Sequence, residues 1–227
     1  MNIAIIPARI GSKRISKKNI KKFMGKPVIW YSIKAALKTK IFNKIIVSTD
    51  DSQIAELSKK FGAEVPFYRS ANLSDDYTDT RSVIADTINK IESSLVFKNV
   101  CCIYPANPFV LEEDIIKGFN LLKKKNIKYV FASASYNHSI FRSFKLDKNL
   151  SPKMIFPSKF NKRTQDIEET FHDVGQFYWR RKEDWLIKKN IFNNRNSASI
   201  IIPKWRAIDI DTLDDWKLAE KMMKVNR

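Results

Sequence analysis

The stretch Ile3-Ala4-Ile5-Ile6-Pro7-Ala8-Arg9-Ile10-Gly11-Ser12-Lys13-Arg14, running on to Lys17-Lys18-Asn19, sets the reading of this chain. Its first half is an apolar run of strand length that stops at Pro7. Its second half is a loop with a Gly-Ser pair, five cations and a closing Asn. Backbone N–H groups, a hydroxyl and several positive charges gathered by one turn suit a polyphosphate. The spacing is not that of a Walker A loop, and the glycine pattern of a dinucleotide fold is missing. On spacing alone, a basic surface loop stays open as the alternative.

Outward from that stretch, strand-like and helical segments alternate. Residues 43–48 form a second apolar run. Between the two runs, Ile29, Ile33, Ala36 and Leu37 recur at helical spacing over 28–39, with Pro27 well placed for the helix start. Ile54, Leu57 and Phe61 predict a second amphipathic helix, ended by Gly62. A short strand at 64–67, a polar loop at 70–79 and a helix near 80–92 are expected next. Then come a strand at 100–104 ending at Pro105, a helix over about 112–125 and a strand at 128–133. This succession predicts an α/β fold with a mainly parallel sheet and helices on both faces. Ligands of such sheets bind beyond the carboxyl ends of the strands.

Residues 135–180 break the rhythm, with strand-like pieces at 140–146 and 176–179 around a polar stretch at 160–173. Within a single domain of 1–227, they are expected to leave the sheet as a lid or a dimerisation arm. A helix near 182–189, a strand at 199–202 and a last helix should follow. Thr212-Leu213-Asp214-Asp215 has the form of a capping box, with Leu213, Trp216, Ala219 and Met223 as the buried stripe.

With 227 residues, 44% hydrophobic and 12% aromatic, the chain can bury a substantial core and is not of disordered composition. The apolar start, 1–6, is too short for a signal peptide or a membrane span. Cys101 and Cys102 are adjacent in an apolar run, so a strand would send them to opposite faces. Buried, reduced thiols and a cytoplasmic setting are expected, not a disulfide framework or a metal site. Forty-two basic residues against 24 acidic ones give +18, which raises nucleic acid as a partner. The cations are spread over most segments, and no RNA-recognition signature or zinc-finger spacing accompanies them. Solvated basic faces are the expectation, with neither nucleic acid nor membrane as partner.

Asp209-Ile210-Asp211 offers two acids one residue apart. On a strand both would face one side and aim at one point. Mg²⁺ takes one or two carboxylates and completes its shell with phosphate oxygens and water. Alternatively, Asp211 serves only the start of the last helix, a contact worth about 0.3–1 kcal/mol. His138 and His172 stand without ligand spacing, and Trp185, Trp205 and Trp216 are expected to pack.

Taken together, these segments resemble the acylneuraminate cytidylyltransferases, a family that makes CMP-activated nonulosonic acids from CTP. The resemblance lies in Ile5-Ile6-Pro7-Ala8-Arg9-x-Gly11-Ser12-Lys13-Arg14, Lys18-Asn19 and Ile45-Ile46-Val47-Ser48-Thr49-Asp50. It continues in Tyr104-Pro105-x-x-Pro108 and Ile208-Asp209-Ile210-Asp211-Thr212, in family order over almost the whole chain. Tyr104, the block from Arg163 to Asp166 and the block from His172 to Trp179 are most similar to members acting on pseudaminic acid.

The resemblance implies a Rossmann-like nucleotidyltransferase sheet sandwiched by helices, an inserted dimerisation arm and a homodimer. It implies CTP and an acidic nine-carbon sugar as substrates, with Mg²⁺ as cofactor. Arg9 and Lys18 would hold the triphosphate, with Gly11, Ser12 and Asn19 in the same loop. Arg69, Thr78 and Thr80 would lie along the nucleotide, and Asp209 and Asp211 would bind Mg²⁺. Arg9, Lys18, Asp209 and Asp211 are the implied catalytic set. Tyr104, Arg163, Gln176 and Tyr178 would face the sugar, and Arg142 would reach its carboxylate, from the partner subunit in one arrangement. The chain departs from the family pattern at Ile10 (usually Gly), Ser16 (usually Pro) and Ala106-Asn107 (usually Thr-Ala). Asn137-His138-Ser139 lacks the prolines usual there. N-acetylneuraminate, legionaminate and 3-deoxy-octulosonate are the alternative acceptors.

Overall fold

The computed structural model describes residues 1–188 and 195–226. The opening apolar run forms β1 (Asn2–Pro7), and Ile3, Ala4, Ile5 and Ile6 are wholly buried. Four successive apolar, buried positions are what a sheet covered on both faces requires. The remaining sheet strands are β2 (Lys44–Ser48), β3 (Asn99–Ile103), β4 (Tyr129–Ser135), β5 (Phe171–Arg181) and β6 (Ser197–Ile201). Their order across the sheet is β6-β4-β5-β3-β1-β2. β1 pairs in parallel with β2 and β3, and β4 with β6. Only β5 runs the other way, wedged between β3 and β4. The mainly parallel sheet read from the sequence is present.

The helices are α1 (Ile29–Thr39), α2 (Ser52–Lys60), α3 (Thr80–Ile91), α4 (Glu112–Leu122), α5 (Lys182–Leu186) and α6 (Leu213–Val225). Ile29, Ile33 and Ala36 of α1 and Ile115 and Leu122 of α4 pack with Ala4, Ile6 and Cys101 on one face. Ile84, Ile88 and Ile91 of α3, with Trp185, pack with Ile3, Ile5 and Cys102 on the other. The two cysteines are free and buried on opposite faces, as strand alternation demands. Gly62 closes the α2 turn at φ +95°, a conformation that suits glycine.

Gly118 lets α4 lie close on β5. A Cβ there would come within 2.8 Å of the Phe177 ring and 3.0 Å of the Trp179 ring. Gly118→Ala is expected to cost about 1–3 kcal/mol through overpacking, more than the roughly 1 kcal/mol that alanine gains in helix propensity. Urea titration of the two proteins checks this.

Four local expectations need correction. Residues 64–67 make no strand; only isolated bridges, Ile46 to Glu64 and Thr49 to Tyr68, run along β2. The excursion from the sheet covers 136–170, because Phe171–Arg181 forms an eleven-residue strand in the middle of the sheet. Leu213 is exposed, while Trp216 and Ala219 of the same helix are buried. Residues 207–211 pair with no strand, so the acidic doublet lies on an irregular connection into α6. The capping box at its start is formed as read, with Thr212 and Asp215 bonded reciprocally. Of the helix expected near 182–189, Lys182–Leu186 is helical and Lys189 lies outside the described residues.

The 136–170 excursion carries a small hairpin, Phe144–Leu146 against Pro152–Met154, between short helical turns. Among the described residues, no helix is long and apolar enough to cross a membrane.

Candidate active site

The loop after β1 is held by its own polar groups. The Ile10 N–H donates to the Asp50 carboxylate at 3.2 Å, and the Asn19 amide donates to the Arg9 carbonyl at 2.8 Å. Ile10 does not take positive φ; the left-handed turn falls instead at Lys17, φ 50°. The Ile10 side chain therefore puts no strain on that peptide.

An apolar contact brings this loop to the far end of the chain. Ile15 and Ile210, both nearly fully buried, share a cluster with Phe23, Phe109 and Trp216. Burying Ile210 turns its neighbours Asp209 and Asp211 outward, where they line the same cleft. Lys18 Nζ donates to the Ile210 carbonyl at 2.7 Å and lies 3.5 Å from the Asp211 carboxylate. Arg14 pairs with the same carboxylate at 2.8 Å. Asp209 receives no hydrogen bond or ion pair from the described residues. Desolvation in the cleft, and then the negative charge of Asp211, raise its carboxyl above the ordinary range.

A second set of contacts anchors the doublet from behind. Arg206 is buried and donates to the Asp114 carboxylate at 2.6 Å. The Gln176 amide donates to the Arg206 carbonyl at 2.9 Å.

The cleft encloses about 630 Å³. Arg9, Ser12, Lys18 and Asn19 line it from the first loop, and Asp209 and Asp211 from the late connection. Arg69, Thr78, Thr80 and Tyr104 complete the lining expected from the sequence. Arg69 is buried, its Nε donates to Ser74 Oγ at 3.1 Å, and its Nη2 lies 3.8 Å from the Asp50 carboxylate with no hydrogen-bond partner among the described residues. Desolvation lowers the pKa of that guanidinium. The Tyr104 hydroxyl bonds to Thr80 Oγ1 at 3.0 Å, and burial pushes its pKa up to about 12.

The other expected residues lie elsewhere. Gly11 is in the loop but does not line the cleft, and a side chain there would meet open space. Gln176 is almost wholly buried; its Nε2 donates to the Arg206 carbonyl, and its Oε1 has no hydrogen-bond partner among the described residues. The Tyr178 ring lies tilted at 57° against Tyr104, 5.3 Å between ring centres, and its hydroxyl donates to Asp173. Arg142 donates to the Lys162 carbonyl within the excursion, and Arg163 pairs there with Asp166.

Residues that sequence reasoning missed also line the cleft. Asp76 pairs with Arg9 at 2.8 Å and with Lys13, while Arg9 also donates to the Asp75 carbonyl. Ion pairs from Lys13, and then Arg9, hold the Asp76 carboxyl below its usual range. The only sequence signal for that loop was its polarity. Cations on one element and carboxylates on another, around a single cleft, suit a polyphosphate carried with a hard divalent cation.

Comparison with known proteins places these features in a family. A family profile described as Cytidylyltransferase matches residues 3–224. The chain is 38% identical to the pseudaminic acid cytidylyltransferase of Campylobacter jejuni, over 99% of this chain and 97% of that one. It is 31% identical to the CMP-N,N'-diacetyllegionaminic acid synthase of Legionella pneumophila, over 99% and 97%. Among solved structures, CMP:2-keto-3-deoxy-manno-octonic acid synthetase complexed with CTP superposes with a TM-score of 0.72. That match covers 100% of this chain and 99% of the other at 14% identity, and speaks for the fold alone. The chain belongs to the cytidylyltransferase family of nucleotidyltransferases. Within it, the chain is of the CMP-nonulosonic acid synthetase type, closely related to the pseudaminic acid enzymes.

Proposed function

We propose that this chain transfers CMP from CTP to the anomeric hydroxyl of pseudaminic acid and releases pyrophosphate. CMP transfer to a nonulosonic acid goes with the family; pseudaminic acid is the acceptor that the 38% relative's name carries. The observation that carries the reading is the junction of Lys18 with Ile210 and Asp211, which joins the first loop to the acidic doublet in one cleft.

In this reading the anomeric hydroxyl oxygen attacks the α-phosphorus of CTP, and its proton passes to solvent. The bond from that phosphorus to the bridging oxygen breaks, and its electron pair leaves with pyrophosphate. Such transfers ask little covalent chemistry of the protein and much positioning and charge neutralisation. Arg9 and Lys18 bind phosphate oxygens and stabilise the charge growing on the leaving group. To do so, Arg9 exchanges Asp76 for phosphate. Arg69, whose Nη2 lies 3.8 Å from the Asp50 carboxylate and makes no hydrogen bond among the described residues, offers that nitrogen to the nucleotide, with Thr78 and Thr80 beside it, and Ser12 and Asn19 complete the loop.

Asp209 and Asp211 suit Mg²⁺. Asp209 has no hydrogen bond or ion pair among the described residues, and its desolvation and repulsion by Asp211 are what a divalent cation relieves. When bound, the ion supplies charge neutralisation on phosphate oxygens. Tyr104 faces the sugar, while Gln176 and Tyr178 act behind it, through Arg206 and Asp173. Exposed Phe144, Leu146, Leu150 and Phe160 on the excursion support its role as a dimerisation arm. Arg142 and Arg163 would then reach the site of a second copy. The unpaired, buried thiols support a cytoplasmic setting.

The test is pyrophosphate release with CTP, Mg²⁺ and each of four acceptors: pseudaminate, legionaminate, N-acetylneuraminate and 3-deoxy-octulosonate. The highest kcat/KM is expected with pseudaminate. A higher value with another acceptor overturns the sugar assignment, and no release with any of them overturns the reaction.

A further inference from the structure

Asn107 stands between Pro105 and Pro108, where this chain departs from the family pattern, and it lines the cleft. Its side chain is almost wholly buried, with 4% of the residue exposed. Nδ2 donates to the Gly175 carbonyl at 3.2 Å. Oδ1 is buried and has no hydrogen-bond partner among the described residues. Exchanging the two amide atoms would set Oδ1 against the Gly175 carbonyl, acceptor against acceptor, so this bond fixes the orientation. Folds leave few buried acceptors unsatisfied, because each one forfeits its bond to water. In a binding cleft, such an atom marks the place of an incoming donor.

The sheet order says which substrate brings that donor. The cleft runs from β2 across β1 to β3 and β5. Arg69, tied to the Thr49 carbonyl at 2.7 Å, belongs to the β2 side. The loop after β1 carries the phosphate cations in the middle. Asn107 and Gly175 belong to the β3 and β5 side. The acceptor attacks the α-phosphorus from the side opposite the leaving pyrophosphate; with the nucleoside toward Arg69 and the pyrophosphate held by the first loop, the side of the cleft left for it is toward Asn107.

We propose that Asn107 Oδ1 accepts a hydrogen bond from the acceptor sugar, from an acylamino N–H or a hydroxyl, and so sets acceptor preference. This assignment rests on the CMP-transfer reading above.

Asn107→Ala and Asn107→Leu test it, the second filling the space should the first not fold. Each variant is compared with wild type by thermal melting and by KM for sugar and for CTP. The KM for sugar is expected to rise roughly tenfold or more, with the CTP value within about twofold. Sugar analogues with an acylamino group or a hydroxyl replaced by hydrogen, used as competitive inhibitors, identify the donor. The analogue lacking the true donor is expected to bind wild type and variants equally. An unchanged sugar KM in both variants, or an equal rise for CTP, overturns the assignment alone. A wild-type protein inactive with every nonulosonic acid overturns the underlying reading and the assignment with it.

Discussion

Turnover by Lys18→Ala is expected to fall by about 10²–10³-fold, the usual loss when one charge-stabilising donor is removed, or about 2.7–4 kcal/mol of barrier. Lys18 has two tasks in the proposed site. Its ammonium neutralises phosphate charge, and its bond to the Ile210 carbonyl holds the acidic doublet against the first loop. The apolar contact of Ile15 with Ile210 remains in the variant, so the melting temperature should change little. Lys18→Arg keeps the charge but not the compact three-donor head, and is expected to recover only part of the rate. Steady-state pyrophosphate release beside a melting curve checks both statements. Near-normal turnover in the alanine variant would remove Lys18 from the chemistry.

Asp114→Ala is expected to destabilise the fold by about 3–5 kcal/mol, because it strands a buried guanidinium without its counter-ion. Side-chain exposure is 5% for Asp114 and 8% for Arg206, so water cannot take the place of the lost carboxylate. Against a typical total of about 5–15 kcal/mol, that loss is severe. The same chemistry predicts a rescue. Adding Arg206→Met removes the stranded charge, and a buried pair replaced by apolar groups is often neutral. Urea unfolding of the single and double variants measures the difference. A double variant no more stable than Asp114→Ala would mean that the unpaired charge is not the cause. Arg206 lies three residues before Asp209 and holds Gln176 through its carbonyl, so turnover is expected to fall in the single variant as well.

Much of the fold was legible because local chemistry and tertiary demand agree. Ile3 to Ile6 reads as a strand covered on both faces, and Ile84 and Ile88 fall on the buried face of a well-formed helix. Thr212 and Asp215 announce a cap that forms as written. β5 was only half legible. Its apolar end, Phe177 to Trp179, is strand-like, but its start, Phe171-His172-Asp173, is polar and pairs with β4 beyond a register shift between Phe131 and Ser133. Nothing local encodes that pairing, since the partner strand lies some forty residues earlier. The meeting of Lys18 with Asp211, 193 positions apart, is likewise a product of packing, and the resemblance to a family rather than any periodicity pointed to it. Asp76 was invisible for the opposite reason: an acid in a loop of Ser, Asp and Thr looks like solvent-facing composition until a guanidinium is found on it.

Cys101 and Cys102 carry a practical consequence. Both thiols are sealed in β3, one toward each helical layer, and desolvation raises the pKa of each well above the free value. An alkylating reagent at neutral pH therefore finds almost no thiolate while that strand keeps its neighbours. Label accrues only as fast as the middle of the sheet comes apart, so the chain carries its own stopwatch for global opening, with one hand on each side.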